Sequence, residues 1–150
     1  RAGEGRIVVV PIGGLRMGGM ICQDDNFTDL SRGYARAHAQ LLAVPTNDWR
    51  QVKDYHLEAC LFRAVEGRYG MVRAASNGVS AIVSRRGEVL ARRDHFEEGP
   101  GVVVADLPVG AGGSFYAAAG DWFPILCLGA LAAGYILSTR RRIPGARLGV

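Results

Sequence analysis

Short apolar runs, each closed by glycine or a polar cluster, alternate with longer stretches of mixed polarity over the first 110 residues. Arg6-Ile7-Val8-Val9-Val10-Pro11-Ile12 has the character of a buried strand and is closed by Gly13-Gly14. Residues 15–22 read as a second strand, in which Gly18-Gly19 allow close backbone approach. A polar stretch follows, where Asn26 or Thr28 can cap a helix to about Gln40, with Phe27, Leu30, Tyr34, Ala37 and Leu41 near helical spacing. Leu41-Leu42-Ala43-Val44-Pro45 is a short buried strand entering the polar loop Thr46-Asn47-Asp48-Trp49. Residues 52–68 form the most helical stretch, with Tyr55, Ala59, Phe62, Val65 and Tyr69 on one face and Gly67 and Gly70 at its end. Residues 71–75 and 79–83 read as strands around Ser76-Asn77-Gly78, and Arg85-Arg86-Gly87 turns the chain into a further strand at 88–92. Val102-Val103-Val104-Ala105 is the last strand predicted. Strands with interleaved helices predict a layered α/β domain over residues 1–109.

The pattern changes after a glycine-rich connector at 110–121. Trp122–Thr139 carries no charged residue, and a helix of that length spans roughly 27 Å, close to a bilayer core of about 30 Å. All 14 acidic residues and 14 of the 18 basic ones lie within residues 1–121, so the net charge of +4 resides in Arg140, Arg141, Arg142 and Arg147. A localised tail of this kind excludes a nucleic-acid-binding face, which spreads its basic residues over a folded surface. It predicts a transmembrane helix at 122–139 with a basic cytoplasmic tail at 140–150, and places the preceding domain outside the cytoplasm. The chain opens at Arg1 in sequence already approaching a strand, which reads as the C-terminal part of a longer protein.

Three cysteines, Cys22, Cys60 and Cys127, have no metal-ligand spacing and predict neither a disulfide framework nor a metal site. Cys60 falls in a helical pattern and Cys127 in the apolar run. Cys22 stands where an apolar run stops and a helix-opening stretch begins. A strand-to-helix turn can present a thiol at the mouth of a sheet, where helix N–H groups favour the thiolate.

Ile21-Cys22-Gln23-Asp24, Asn47-Asp48-Trp49, His56, Arg63-Ala64-Val65-Glu66 and Arg73-Ala74-Ala75-Ser76-Asn77-Gly78 follow in order. Together they resemble the nitrilase (carbon–nitrogen hydrolase) superfamily. Within it, the membrane-attached apolipoprotein N-acyltransferase branch is most similar, with Tyr116 and Gly120-Asp121-Trp122 ahead of the apolar run. The resemblance implies the C-terminal half of an αββα sandwich followed by one transmembrane helix, and a Glu–Lys–Cys triad. Cys22 matches the nucleophile. The family's glutamate, a general base, and its lysine, which stabilises the oxyanion, belong upstream of the cysteine. Lys53 is the only lysine and follows Cys22, and Glu4 is too near it, so the chain is expected to hold one triad member. Gln23 stands where the family has Tyr. Asp24 replaces the branch's Glu.

The resemblance implies that Asn47 and Trp49 shape an acyl pocket, and Gln23, Asp24, His56 and Asn77 join them as supporting positions. Asp24 either orients the turn or caps the next helix. His56, flanked by Asp54 and Glu58, fits a structural hydrogen bond. Arg63 and Glu66, three apart, fit a structural ion pair, and the Arg85-Arg86 and Arg92-Arg93 pairs fit solvated hairpin faces. The implied activity moves an acyl chain from a phospholipid to the N-terminal cysteine of a lipoprotein, in a bacterial inner membrane, with no cofactor. The alternatives are a tethered amidase and an inactive truncated nitrilase-like module.

Overall fold

The computed structural model describes residues 6–141, with side chains to Thr139. Glu4 and the basic tail beyond Arg141 lie outside the described residues. The chain forms two compact units, divided at Ala118/Ala119.

The first unit is built on one six-stranded sheet in sequential order: β1 (Val10–Ile12), β2 (Leu15–Gly19), β3 (Leu41–Thr46), β4 (Gly70–Ala75), β5 (Val79–Val83) and β6 (Val89–Asp94). β2, β3 and β4 are parallel, and the other pairs are antiparallel. The parallel pairs need crossovers, which α1 (Thr28–Arg36) and α2 (Lys53–Gly67) provide. Crossovers of one hand between successive neighbours place both helices on one face of the sheet. Leu42, Val44, Met71, Ala81 and Val83 point to that face and are buried. Gly18 lets Tyr34 of α1 lie on β2, since a Cβ there would stand 2.6 Å from the tyrosine ring. The Tyr34 hydroxyl donates to the Gly19 carbonyl at 2.6 Å.

Several predicted elements shift. The first strand keeps only Val10–Ile12, because Ile7 and Val9 leave the ladder to pack on the core, Ile7 lying over Gly33 of α1. β2 stops at Gly19, and Cys22 opens a separate 3₁₀ turn, Cys22–Asn26. α1 is capped by neither Asn26 nor Thr28: its N-cap is Phe27, whose carbonyl receives the Ser31 N–H. It ends at Arg36, before His38 enters the left-handed region at φ 54°. In α2 the buried face is Lys53, His56, Leu57, Cys60, Ala64 and Gly67. Of the expected face, Tyr55, Phe62 and Val65 lie outside, 62%, 63% and 49% exposed, whereas Tyr69, beyond the helix end, is fully buried. Both stripes are apolar at helical spacing, and only packing selects between them. Residues 102–105 form no strand. Val102 and Val104 are 85% and 84% exposed, and the segment joins neither edge strand of the sheet, β1 or β6.

Two short helices, α3 (His95–Glu98) and α4 (Phe115–Ala119), lie after the sheet, the second inside the predicted connector. The second unit is dominated by α5 (Trp122–Arg141). Its segment Trp122–Thr139 is the one described helix long and apolar enough to cross a membrane.

Candidate active site

The C-terminal ends of the three parallel strands converge on one pole of the sheet. β2 leads there to Cys22, β3 to Asn47-Asp48-Trp49, and β4 to Ser76-Asn77-Gly78. Cys22 is partly exposed and has φ 52°, left-handed backbone that a non-glycine residue adopts at a cost of about 1 kcal/mol or more. Local bonds hold the turn in that shape. The Asp24 carboxylate accepts the Ile21 N–H at 2.8 Å, and the Asp24 N–H donates to the Ile21 carbonyl at 3.0 Å. Asp24 therefore orients the cysteine turn and does not cap α1. A five-residue 3₁₀ turn stands between Cys22 and the expected helix, α1, which begins six positions further on, so the helix supplies little macrodipole to the thiol.

Beneath the turn lies a fully buried ionic network. Arg73, with no exposed surface, donates to Asp25 at 3.1 Å, to Asp48 at 2.6 Å and to the Thr46 hydroxyl at 3.5 Å. Asp48 also accepts from Thr46 at 3.1 Å and pairs with His56 Nδ1 at 2.8 Å. Burial pushes the Asp25 carboxyl above its ordinary range, and Arg73 opposes that rise. The network ties the cysteine turn to the ends of β3, β4 and α2. Asp25, Asp48 and Arg73 were not among the predicted site residues, although an arginine inside the apolar run of β4 was the available signal.

Asn77 donates its side-chain amide to Asn47 at 2.8 Å, and its carbonyl accepts the Asp48 N–H at 3.2 Å, so the two predicted positions meet in the structure. Gly78, at φ +97°, brings the β4–β5 turn against Asp48, where a Cβ would stand 2.9 Å from the Asp48 Cβ. Trp49 is 64% exposed, as is Phe27, and Ile21 is 69% exposed. The pole thus carries an apolar rim, to which Gln23 adds an exposed polar side chain. Arg63 and Glu66 form the expected ion pair at 2.9 Å on α2, and Glu66 makes further contacts. Lys53 pairs with Asp94 at 2.6 Å, and Asp94 accepts the Phe96 N–H, which fixes the end of β6 beside the start of α2.

The other thiols sit differently. Cys60 is buried on α2 with Sγ 3.6 Å from the Met71 sulfur, and burial pushes its pKa up to about 12. Cys127 is exposed on α5. A partly exposed thiol at a strained turn, braced by a buried network and rimmed by apolar side chains, suits nucleophilic attack on a carbonyl carrying an apolar chain.

The carbon–nitrogen hydrolase family matches residues 1–116, and the chain belongs to it. Its relatives include an apolipoprotein N-acyltransferase of Geobacter metallireducens, 36% identical over 141 residues, covering 91% of this chain and 27% of the relative. The apolipoprotein N-acyltransferase of Bdellovibrio bacteriovorus is 35% identical over 139 residues, covering 88% and 25%. The chain therefore spans about a quarter of the length of the curated relatives it matches. Among solved structures, the Nesterenkonia AN1 amidase from the nitrilase superfamily superposes with a TM-score of 0.57 at 25% identity, covering 61% of this chain and 38% of that one. A second structure of that amidase, with acrylamide added at its active-site cysteine, gives 0.55 at 25% identity over 61% and 40%.

Proposed function

We propose that this chain is the C-terminal part of a membrane-anchored lipoprotein N-acyltransferase in which Cys22 carries the acyl group. The reading rests above all on Cys22 itself, held in left-handed backbone at the strand-end pole over the Asp25–Arg73–Asp48 network. Its relatives' names supply the reaction class. The Cys22 thiolate attacks the ester carbonyl of a phospholipid, the carbonyl π electrons move onto oxygen, and the tetrahedral intermediate expels the glycerol oxygen, which takes a proton. The resulting thioester is attacked by the amino group of the lipoprotein's N-terminal cysteine. An amide forms, the thiolate leaves, and the amine loses a proton. Splitting one acyl transfer into two steps lowers each barrier. In the family pattern the glutamate base and the oxyanion-stabilising lysine come from sequence upstream of this chain.

The same reading has Trp122–Thr139 crossing a bacterial inner membrane, with the catalytic unit outside the cytoplasm and the arginine tail inside. Both substrates are lipids, so anchoring holds enzyme and substrates at one surface. Among the solved neighbours, the amidases favour a second reading, in which water takes the acyl group from the thioester.

The test uses the full-length protein in membranes with a radiolabelled phospholipid. Wild type and Cys60→Ala should form a hydroxylamine-labile acyl-enzyme and pass the label to a lipopeptide amine, while Cys22→Ala does neither. Equal labelling of Cys22→Ala rejects the nucleophile. Release of free fatty acid with no labelled lipopeptide selects the amidase.

A further inference from the structure

The opposite pole of the sheet, where β3 and β4 begin and β5 ends, is built from arginine. Arg36 closes α1, Arg68 follows α2 in the left-handed region, and Arg85 and Arg86 make the β5–β6 turn. They are contiguous. A cavity of about 500 Å³ is lined by Arg36, His38 and Arg68 together with the 112–118 segment, and a second one joins Arg68 to Arg85 and Arg86. Among the described residues none of these four arginines forms an ion pair. Of the nearest carboxylates in sequence, Glu66 pairs with Arg63, whereas Glu88 accepts from the Ser84 hydroxyl and lines a further depression with Arg85 and Arg86, pairing with neither.

Part of this charge has a structural use. Arg36 donates to the Ala117 carbonyl at 2.8 Å, and cations at the C-terminal ends of two helices offset their dipoles. One cation per helix end accounts for Arg36 and Arg68. Arg85 and Arg86 end no helix, and with Glu88 the carboxylate beside them the four arginines keep an excess of positive charge around adjoining cavities that a bound anion would offset. The cavity is also bordered by Phe115, an apolar side chain that is 70% exposed. In sequence, the last lining residue, Ala118, precedes Trp122 and the apolar run by four positions.

We propose that this arginine pole is a docking surface for the phosphate headgroups of anionic phospholipid. The proposal rests on the membrane-anchored reading above. The lipid held there is not the acyl donor, because a six-residue strand separates the pole from Cys22 by roughly 20 Å. Arginine suits the role, since its planar fork binds phosphate oxygens in pairs. His38 does not carry the binding, because its Nδ1 contacts the Gly112 carbonyl at 3.1 Å.

Full-length protein is reconstituted in vesicles of equal phosphatidylglycerol and phosphatidylcholine, extracted in mild detergent, and its retained lipid is measured by mass spectrometry. Wild type should prefer phosphatidylglycerol, and added salt should weaken the preference. Each arginine at an anionic surface is worth roughly fivefold, so Arg68→Gln/Arg86→Gln should lower the preference by at least about tenfold. The charge-preserving pair Arg68→Lys/Arg86→Lys should keep most of it, which separates lost charge from lost fold. Cys22→Ala should keep all of it, so failure of the acyl-transfer reading does not carry this one with it. An unchanged preference in the glutamine pair, or its loss in the lysine pair, overturns the proposal.

Discussion

Arg73→Met is the sharpest test of the network beneath the cysteine turn. The substitution roughly keeps side-chain volume but removes the cation that Asp25 and Asp48 share. Asp48 retains the Thr46 hydroxyl and His56, whereas no other ion-pair partner of Asp25 is present among the described residues. Removing one member of a buried ion pair costs about 3–5 kcal/mol, because the survivor stays desolvated. At about 2–4 °C per kcal/mol for a domain of this size, the unfolding midpoint should fall by roughly 6–20 °C. Adding Asp25→Asn removes the orphaned charge and should restore about 1.5 kcal/mol or more, a coupling that distant sites do not show. Thermal unfolding of the full-length protein, followed by circular dichroism for the four members of the cycle, measures both quantities. Below the lowered midpoint, acyl-enzyme formation at Cys22 should still fall, because Asp25 belongs to the same 3₁₀ turn. A loss under about 1 kcal/mol, or strict additivity of the two substitutions, would refute the role given to the network.

Three further outcomes are expected. Iodoacetamide at pH 8 should modify Cys22 and spare Cys60 in the folded protein, as peptide mass spectrometry would show, because a thiol with a pKa of about 12 is only about one part in 10⁴ thiolate there; rapid labelling of Cys60 would contradict its burial. Gly78→Ala should cost about 2–3 kcal/mol, from a left-handed alanine and the displacement of Asp48, and a melting curve within a degree of wild type would disprove the contact. The hydrogen bond from Lys53 lowers the Asp94 pKa below its ordinary 3.8, so this carboxylate's stabilisation is present above pH 3.8 and is lost as pH falls through the folded value. Asp94 in turn raises Lys53 above its ordinary 10.5, giving stabilisation that is present below that pH and lost as pH rises through the folded value. Asp25 has the opposite sign in acid, since its raised value makes the native state take up a proton first. Urea titrations across pH should therefore show Asp94→Asn with flatter acid and alkaline limbs than wild type, and identical limbs would remove the pair from the account.

The sequence by itself determined the local elements. Short apolar runs closed by polar or glycine-bearing turns marked β3, β4 and β5 to within a residue or two, and the uncharged run at 122–139 marked α5, because side-chain polarity and turn residues are local properties. Gly18-Gly19 announced a close approach, and the structure supplies Tyr34 as its cause. The motif residues Asn47, Asn77, Arg63 and Glu66 could be named for the same reason, each belonging to a short recognisable string. What tertiary structure alone decided were choices between locally equal options. Two apolar stripes on α2 satisfy helical spacing equally, and only the sheet decides that Leu57, Cys60 and Ala64 go inside while Tyr55 and Phe62 stay out. Residues 102–105 have the composition of a strand but pair with neither edge of the sheet. Asp25, Asp48 and Arg73 lie 23 and 25 positions apart in sequence, and they meet because parallel pairing of β2, β3 and β4 brings their ends to one pole. Ion pairing of buried charges is a long-range choice, fixed by the cost of leaving any one of them alone in the core.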